Sequence, residues 1–432
     1  MGKRPDVRGA RYALRHGFVA AIVFGIAASV HAQAPVPAER VSFQDAVKRA
    51  TENNPSAAIA AAGILRAEAL LTEARANTRL QINGTLATTT LNRGVEFQDT
   101  TVVPRNSVAG SLDVRMPLFA PARWARRAQA ADAKTVAELN ADVVRRQTAF
   151  ATADAYLTII GRRRLVESSE TARDVAKAHF DLAHELQQRG TGSRLNELRA
   201  QQAASIDEGL VESARLSLYR AQEALGVLLG ADGPIDATDE PSFDSAGFAA
   251  ADLVQLRPDL KFFATQQQAA DRVLRDSSKD YWPYLEGVFL PQSTYPAQFF
   301  TPANSWRFQL QLSVPLFDSG LRKGQKLERQ AALDVAKANL TGALTGARSE
   351  VRAAREAVAS AERSLASARS AAEQARQVVN ITNISFRAGA ATNIEVIDAQ
   401  RVARDADLAS AGAEDTLRRA RLELLTALGR FP

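Results

Sequence analysis

The chain has 432 residues, 46% of them hydrophobic and 24% charged, a balance that belongs to folded proteins and excludes a disordered or low-complexity chain. Of the formal charge of +6, residues 1–32 supply five basic and one acidic side chain, so only +2 remains beyond them and a nucleic-acid-binding surface is not expected. Cysteine is absent, so neither disulfides nor a lipidated cysteine is expected.

In chain order, Lys3, Arg4, Arg8, Arg11 and Arg15 precede a weakly apolar run from Gly17 to Val30, and "VHAQ" then supplies a small-residue cleavage pattern ending at Ala32. This predicts a removable export signal over residues 1–32, because a membrane anchor would need about 20 apolar residues. A first repeat is predicted over residues 33–230, opening with a helix from Phe43 to Asn77. A strand pair follows. Its first member is Arg79 to Leu91, and its second has Val108, Gly110, Leu112, Val114, Met116 and Leu118 alternating with Ala109, Ser111, Asp113 and Arg115.

Proline is then absent from Ala122 to Gly233, which predicts a helix from about Ala122 to Gln188, roughly 100 Å long at 1.5 Å per residue. Such a helix cannot fit inside a compact globule. In "GTGSRLNELRAQ", the turn at Gly190 to Gly192 reverses the chain into a shorter helix from Arg194 to Leu229. Two short helices laid end to end against the long one would bury its seam, so a rod is predicted. Residues 231–252 contain two prolines, six acidic residues and no basic one, and are predicted as a linker on the outside at mid-rod, its equatorial region.

A second repeat with the same order is predicted over residues 253–432. "RMPLF" at Arg115 recurs as "SVPLF" at Ser313, "GTGSRLNELRAQ" as "GAATNIEVIDAQ" at Gly389, and "VLLG" ending at Gly230 as "TALG" ending at Gly429. "NPSAAI" at Asn54 has a weaker counterpart in "RPDLKF" at Arg257. The strands are Pro283 to Gln292 and an alternating run from Trp306 to Leu316. The long helix carries a heptad at Leu344, Val351, Val358, Leu365, Ala372, Val379 and Phe386, with alanines three residues behind the first five.

The aromatic residues Trp124, Trp282, Trp306, Tyr281, Tyr284 and Tyr295 lie in or beside the strands, where interface girdles of a membrane barrel fall; Trp282, Tyr284 and Trp306 are the candidate interface residues. A soluble antiparallel sheet with one buried face is the other reading. Four strands cannot close a barrel, and an open edge is not tolerated in hydrocarbon, so membrane strands require oligomerisation. A dimer gives eight strands and a filled lumen, whereas a trimer gives twelve and room for a passage.

The duplicated halves, the "PLF" strand ends, "RPDL" at Arg257 to Leu260 and the turn containing "TNIEVIDAQ" together resemble the outer-membrane efflux protein family, the TolC-like channels of tripartite export systems. The resemblance covers nearly all of the chain beyond the signal. It implies a mainly α fold with membrane β: a long helical coiled-coil barrel joined to a 12-stranded transmembrane β-barrel, formed by a homotrimer with four strands from each internally duplicated chain. It further implies location in the outer membrane of a Gram-negative bacterium, extension into the periplasm, no enzymatic activity and no cofactor. A periplasmic adaptor and an inner-membrane pump are the implied partners. "RPDL" resembles the branch served by proton-driven pumps of the resistance-nodulation-division type, many members of which carry a lipidated cysteine that this sequence lacks.

Catalytic readings fail on inventory. His179 and His184 are five apart, which is not an i, i+4 metal pair, and both are expected on the helix surface. Glu395 and Asp398 remain. Thr392 and Glu395 fit a capping box and Asp398 sits near the positive helix end, which explains both acids without a further role. The corresponding positions of the first repeat are Asn196 and Arg199, an asymmetry that capping does not explain. By resemblance, Glu395 and Asp398 fall on the acidic positions that ring the family's periplasmic constriction, and Gly190, Gly192, Gly389 and Thr392 form the tip turns where the adaptor docks. The family's polar latch positions are occupied by Ala391, Asn196 and Phe386. An exit channel for small toxic compounds is the leading expectation. A channel of a type I protein secretion system and a poreless periplasmic scaffold are the alternatives.

Overall fold

The computed structural model describes residues 38–98, 100–243, 257–300 and 302–431. The predicted signal and the linker beyond residue 243 lie outside the described residues. The chain from Glu39 onward forms one unit.

β1 (Glu39–Val41) leads into α1 (Phe43–Asn53), capped by Ser42, whose hydroxyl accepts from the Asp45 N–H at 3.2 Å. The single helix expected over 43–77 is two helices. Pro55 has no N–H to donate to α1, so a new helix, α2 (Pro55–Ala76), starts there, with Asn54 closing one and capping the other. β2 (Gln81–Thr90), the short hairpin β3 (Val95–Phe97) and β4 (Thr100–Val103), and β5 (Asn106–Phe119) follow. α3 (Pro121–Gln188) has 68 residues, about 100 Å of helix, and returns through α4 (Arg194–Leu229). Beyond β6 (Ile235–Ala237) come α5 (Pro258–Arg275), a 3-10 turn at Asp276–Tyr281, β7 (Tyr284–Tyr295), β8 (Asn304–Ser313), the 67-residue α6 (Leu321–Arg387) and α7 (Asn393–Ala427).

The main sheet has the order β2-β5-β7-β8, antiparallel throughout. Its register puts Ile82, Val114, Phe289 and Phe308 in one row across all four strands, and Thr85, Ser111, Gln292 and Ser305 in another on the opposite face. One face is apolar and the other polar. The apolar one is uncovered: Leu86, Leu112, Leu310 and Leu312 are 77%, 48%, 58% and 62% exposed. β8 stops at Ser313, short of the expected Leu316, because Ser313 pairs with the first residue of β7 and Pro315 lacks the ladder donor. β5 keeps Pro117 by a register shift before Phe119.

The helices bury alanine-rich seams. In α6 the predicted heptad is buried from Ala347 through Val351, Ala354, Val358, Ala361 and Leu365 to Ala372 and Ala375, against Leu417, Ala420 and Leu424 of α7. In α3, Val136, Val143 and Phe150 are only half buried whereas Leu157, on the same seven-residue spacing, is buried, because α2, α4, α5 and α7 all pack on this helix and burial is not confined to one line. Ala149, Ala153, Tyr156, Ile159 and Ile160 are fully buried as well.

The linker starts inside rather than outside. β6 pairs in parallel with β1, and Ile235 and Ala237 join Val41, Tyr156, Leu225 and Leu422 in the largest core cluster. The Tyr156 hydroxyl accepts from the backbone N–H groups of Thr238 and Asp239 at 3.0 and 3.2 Å, and burial pushes its pKa up to about 12. The linker acids are paired with cations of the long hairpins: Asp236 binds Arg163 at 2.7 Å, and Glu240 binds Arg164 and Arg418 at 2.7 and 2.9 Å.

The short helices meet end to end through paired devices. Asn54 Nδ2 donates to the Leu228 carbonyl at 3.0 Å, at the end of α4, and an Arg257 guanidinium N–H donates to the Ala427 carbonyl at 3.3 Å, at the end of α7. Each residue precedes a proline that opens the next helix, so each satisfies a carbonyl that a helix end leaves orphaned.

Candidate functional site

The two long hairpins α3–α4 and α6–α7 end in related turns. Gly190 and Gly389 both have φ +77°, a left-handed conformation that a side chain disfavours. A Cβ on Gly192 would lie 2.9 Å from the backbone of Leu186 and Gln187, so the chain needs glycine there, whereas its counterpart in the second turn is Ala391. The first turn closes with the Gly192 N–H donating to the Leu186 carbonyl at 2.8 Å, the second with Ala390 donating to Ser385 at 2.8 Å. Ser193 caps α4 and Thr392 caps α7.

The capping box at Thr392 forms as its sequence predicts. The Thr392 N–H donates to Glu395 Oε2 at 2.6 Å and the Glu395 N–H donates to Thr392 Oγ1 at 3.4 Å. Hydrogen bonds from Thr392 hold the Glu395 carboxyl below its ordinary pKa. Asp398, one turn along the same exposed face, accepts from Arg401 at 2.8 Å. Both acids line a groove of about 470 Å³ between α6 and α7, whose walls are Val378, Ile381, Ala391 and Val402. The groove is open to solvent and apolar below its acidic rim, with Ile381 63% exposed.

The turns are tied together by residues that sequence reading did not single out. Asn393 is buried; its Oδ1 lies 2.7 Å from His179 Nε2 on α3, and its Nδ2 donates to the Asn196 carbonyl on α4 at 3.3 Å. Since the Asn393 amide already donates to Asn196, its oxygen is the acceptor and His179 Nε2 the donor. The His179 ring is edge-on to Phe386 of α6 at 5.5 Å. His179 is therefore buried, not a surface residue as expected, and burial lowers its pKa so that the neutral ring is favoured. His184 fits the surface expectation better. Its Nδ1 lies 2.7 Å from Glu197, a buried carboxylate that also accepts from Arg194 at 2.5 Å and is held below its ordinary pKa by both bonds. Farther along, Arg404 of α7 binds Asp207 of α4.

At the opposite end, Trp282 and Trp306 are 53% and 71% exposed. Tyr284 differs. Its hydroxyl donates to Glu286 at 2.5 Å and the Arg123 guanidinium lies 4.6 Å above its ring, so it is tied to the polar side of the sheet. Among the described residues no group of three or more His, Asp or Glu could hold a metal ion, and no helix is long and apolar enough to cross a membrane.

Comparison with known proteins places this architecture. Residues 250–430 match the sequence model of the outer membrane efflux protein family. The chain is 26% identical over 386 residues to the outer membrane protein OprJ of Pseudomonas aeruginosa, an alignment covering 82% of this chain and 78% of that protein. It is 23% identical over 306 residues to the probable efflux pump outer membrane protein TtgC of Pseudomonas putida, covering 67% of this chain and 63% of that protein. Its fold superposes on the outer membrane protein VceC of Vibrio cholerae with a TM-score of 0.77 at 18% identity, over 90% of this chain and 96% of that one. The second half of the chain thus matches the sequence model of the outer membrane efflux protein family, and the described residues share the fold of VceC.

Proposed function

We propose that this protein is the outer-membrane exit channel of a tripartite efflux system, conducting small toxic compounds passively and catalysing no reaction. The observation that carries the reading is the four-stranded sheet, which has an uncovered apolar face, a polar face and two unpaired edges, β2 and β8. In water such a sheet exposes apolar surface at a cost of about 25 cal/mol per Å², and in lipid its edges would be unsatisfied. Three copies joined edge to edge satisfy both demands with a 12-stranded barrel, apolar outside and polar within. The long hairpins then extend from the barrel as a helical tunnel into the periplasm.

In this assembly the chain divides as two repeats, residues 33–230 and 253–432, joined by the acidic segment 231–252 at the equator of the tunnel, with residues 1–32 removed on export. Support comes from the recurring sequence and from the matched roles of Asn54 and Arg257. The turns at Gly190, Gly192, Gly389 and Thr392 form the tip, where an adaptor linked to an inner-membrane pump would dock. Three copies would place six carboxylates, Glu395 and Asp398 from each, at its mouth, favouring cations and binding divalent ions. Trp282 and Trp306 serve as interface aromatics, and the efflux role assigned by name to TtgC points to small compounds as cargo.

Fractionation tests the reading. The protein should leave membranes only with detergent, and release by salt alone would favour a periplasmic scaffold.

A further inference from the structure

Where the strands give way to the long helices, the sequence concentrates more positive charge than neighbouring acids pair: Arg123 lies 3.8 Å from Glu286, and Arg322 is held by Asp318. α3 opens with Arg123, Arg126 and Arg127, and α6 with Arg322, Lys323 and Lys326; neither first turn holds an acidic residue. The 3-10 turn at Asp276–Tyr281 packs between the two helix starts. Its acids are already taken: Asp276 by Lys279 at 2.8 Å and by Gln129, and Asp280 by Arg329 at 2.7 Å. Asp318 is held by Arg322 at 3.0 Å. Arg126, Arg127, Lys323 and Lys326 are exposed and have no partner among the described residues.

Exposed aromatic rings lie at the same level. Trp124 and Trp282 both contact Phe119, at ring distances of 5.7 and 6.2 Å, and the Arg322 guanidinium lies 5.5 Å above Tyr281. Trp124, Tyr281 and Trp282 are 42%, 49% and 53% exposed. On α3, Arg127 is three residues from Trp124, and on α6, Lys326 is four from Arg322, so Arg127 and Lys326 share a helix face with this aromatic group. The cluster continues the apolar face of the sheet at Leu118, the residue before Phe119.

We propose that these cations form a binding surface for the phosphate groups of anionic phospholipids, beneath an aromatic belt at the boundary between barrel and tunnel. The proposal rests on the membrane-barrel reading. Cations of this kind meet headgroup phosphates while the adjoining rings occupy the interface. Lipid is favoured over acidic side chains of a second copy because the cations adjoin the apolar band that lipid would cover.

The test uses the full-length chain purified in detergent, titrated with phosphatidylglycerol or phosphatidylcholine and examined by native mass spectrometry. The wild type should retain phosphatidylglycerol preferentially. Arg127→Gln with Lys326→Gln should lower that preference about fivefold per cation removed while the trimer persists. Arg352→Gln, farther along α6, should leave it unchanged. Equal retention of the two lipids by the wild type, or an unchanged preference in the double variant, would overturn the proposal. Dissociation of the double variant's trimer before lipid is added would also overturn it, assigning the cations to a contact between copies. Failure of the wild type to enter detergent micelles at all would instead count against the barrel itself.

Discussion

His179 Nε2 lies 2.7 Å from Asn393 Oδ1, and through the Asn393 amide both α3 and α4 are hydrogen-bonded to the first turn of α7. Both partners are buried, so removing one strands the other. Asn393→Leu should weaken the link by about 1–3 kcal/mol in each copy, the usual cost of an unsatisfied buried polar group. The expected readout is a larger mean conductance in planar bilayers. Adding His179→Phe should recover much of the loss, because no polar group is then left unpaired; a double variant as leaky as the sum of the two singles would separate this pair from tip closure.

Acid should act on the same link. Burial holds His179 below its ordinary pKa of 6.5, and a ring exposed by loosening of the tip would return to that value. The loosened state therefore binds the proton first. The contribution to tip stability is fully present above about 6.5 and is lost as pH falls through the depressed value. Conductance should rise over that window in the wild type and change less in His179→Gln. Identical pH profiles for the two proteins would remove His179 from the response.

Glu395 and Asp398 should separate under mutation. Glutamine retains the reciprocal hydrogen bonds of a capping box, so Glu395→Gln tests charge with little loss of cap. Asp398 forms an exposed pair with Arg401, and Asp398→Asn should cost little stability. The double variant should lose cation preference and divalent block in single-channel recordings. Unchanged selectivity in a folded trimer would leave both acids as helix-start chemistry alone.

The tip turns predict an asymmetric response to a single methyl. At Gly192 a Cβ would meet backbone at 2.9 Å, so Gly192→Ala must displace the turn, whereas Gly389 has open space around it and only its φ of +77° opposes a side chain. Gly389→Ala should cost roughly 1 kcal/mol, and Gly192→Ala more. Hydrogen exchange at the two turns distinguishes them, and equal protection in both variants would contradict the predicted difference.

Much of the architecture was legible because it rests on periodicity. The α6 heptad from Val351 to Leu365, the alternation in β5 and β8, and the capping box at Thr392 are local patterns whose burial or bonding follows from spacing. Local signals also explain two misses: Pro55 marked a helix start, and Pro315 a strand end. The tie at the tip was not legible, since His179 and Asn393 are 214 positions apart and nothing local pairs them. One clue existed. Asn393 is three residues before Val396 and ten before Ala403, on a stripe that is otherwise small or apolar, and a buried amide there needs a partner. The buried start of the linker was hidden for the same reason, because its acids answer to Arg163, Arg164 and Arg418 on distant helices.

The proposed trimeric channel is tested most directly by covalent trapping of the strand edges, for which a chain without cysteine is suited. Cysteine pairs placed at Thr85 or Ala87 on β2 and at Arg307, Gln309 or Gln311 on β8 should, in cells under mild oxidation, give one combination that produces covalent trimers. Trimers as the largest product are the expected result, and chains that stay monomeric or stop at dimers in every combination would contradict it.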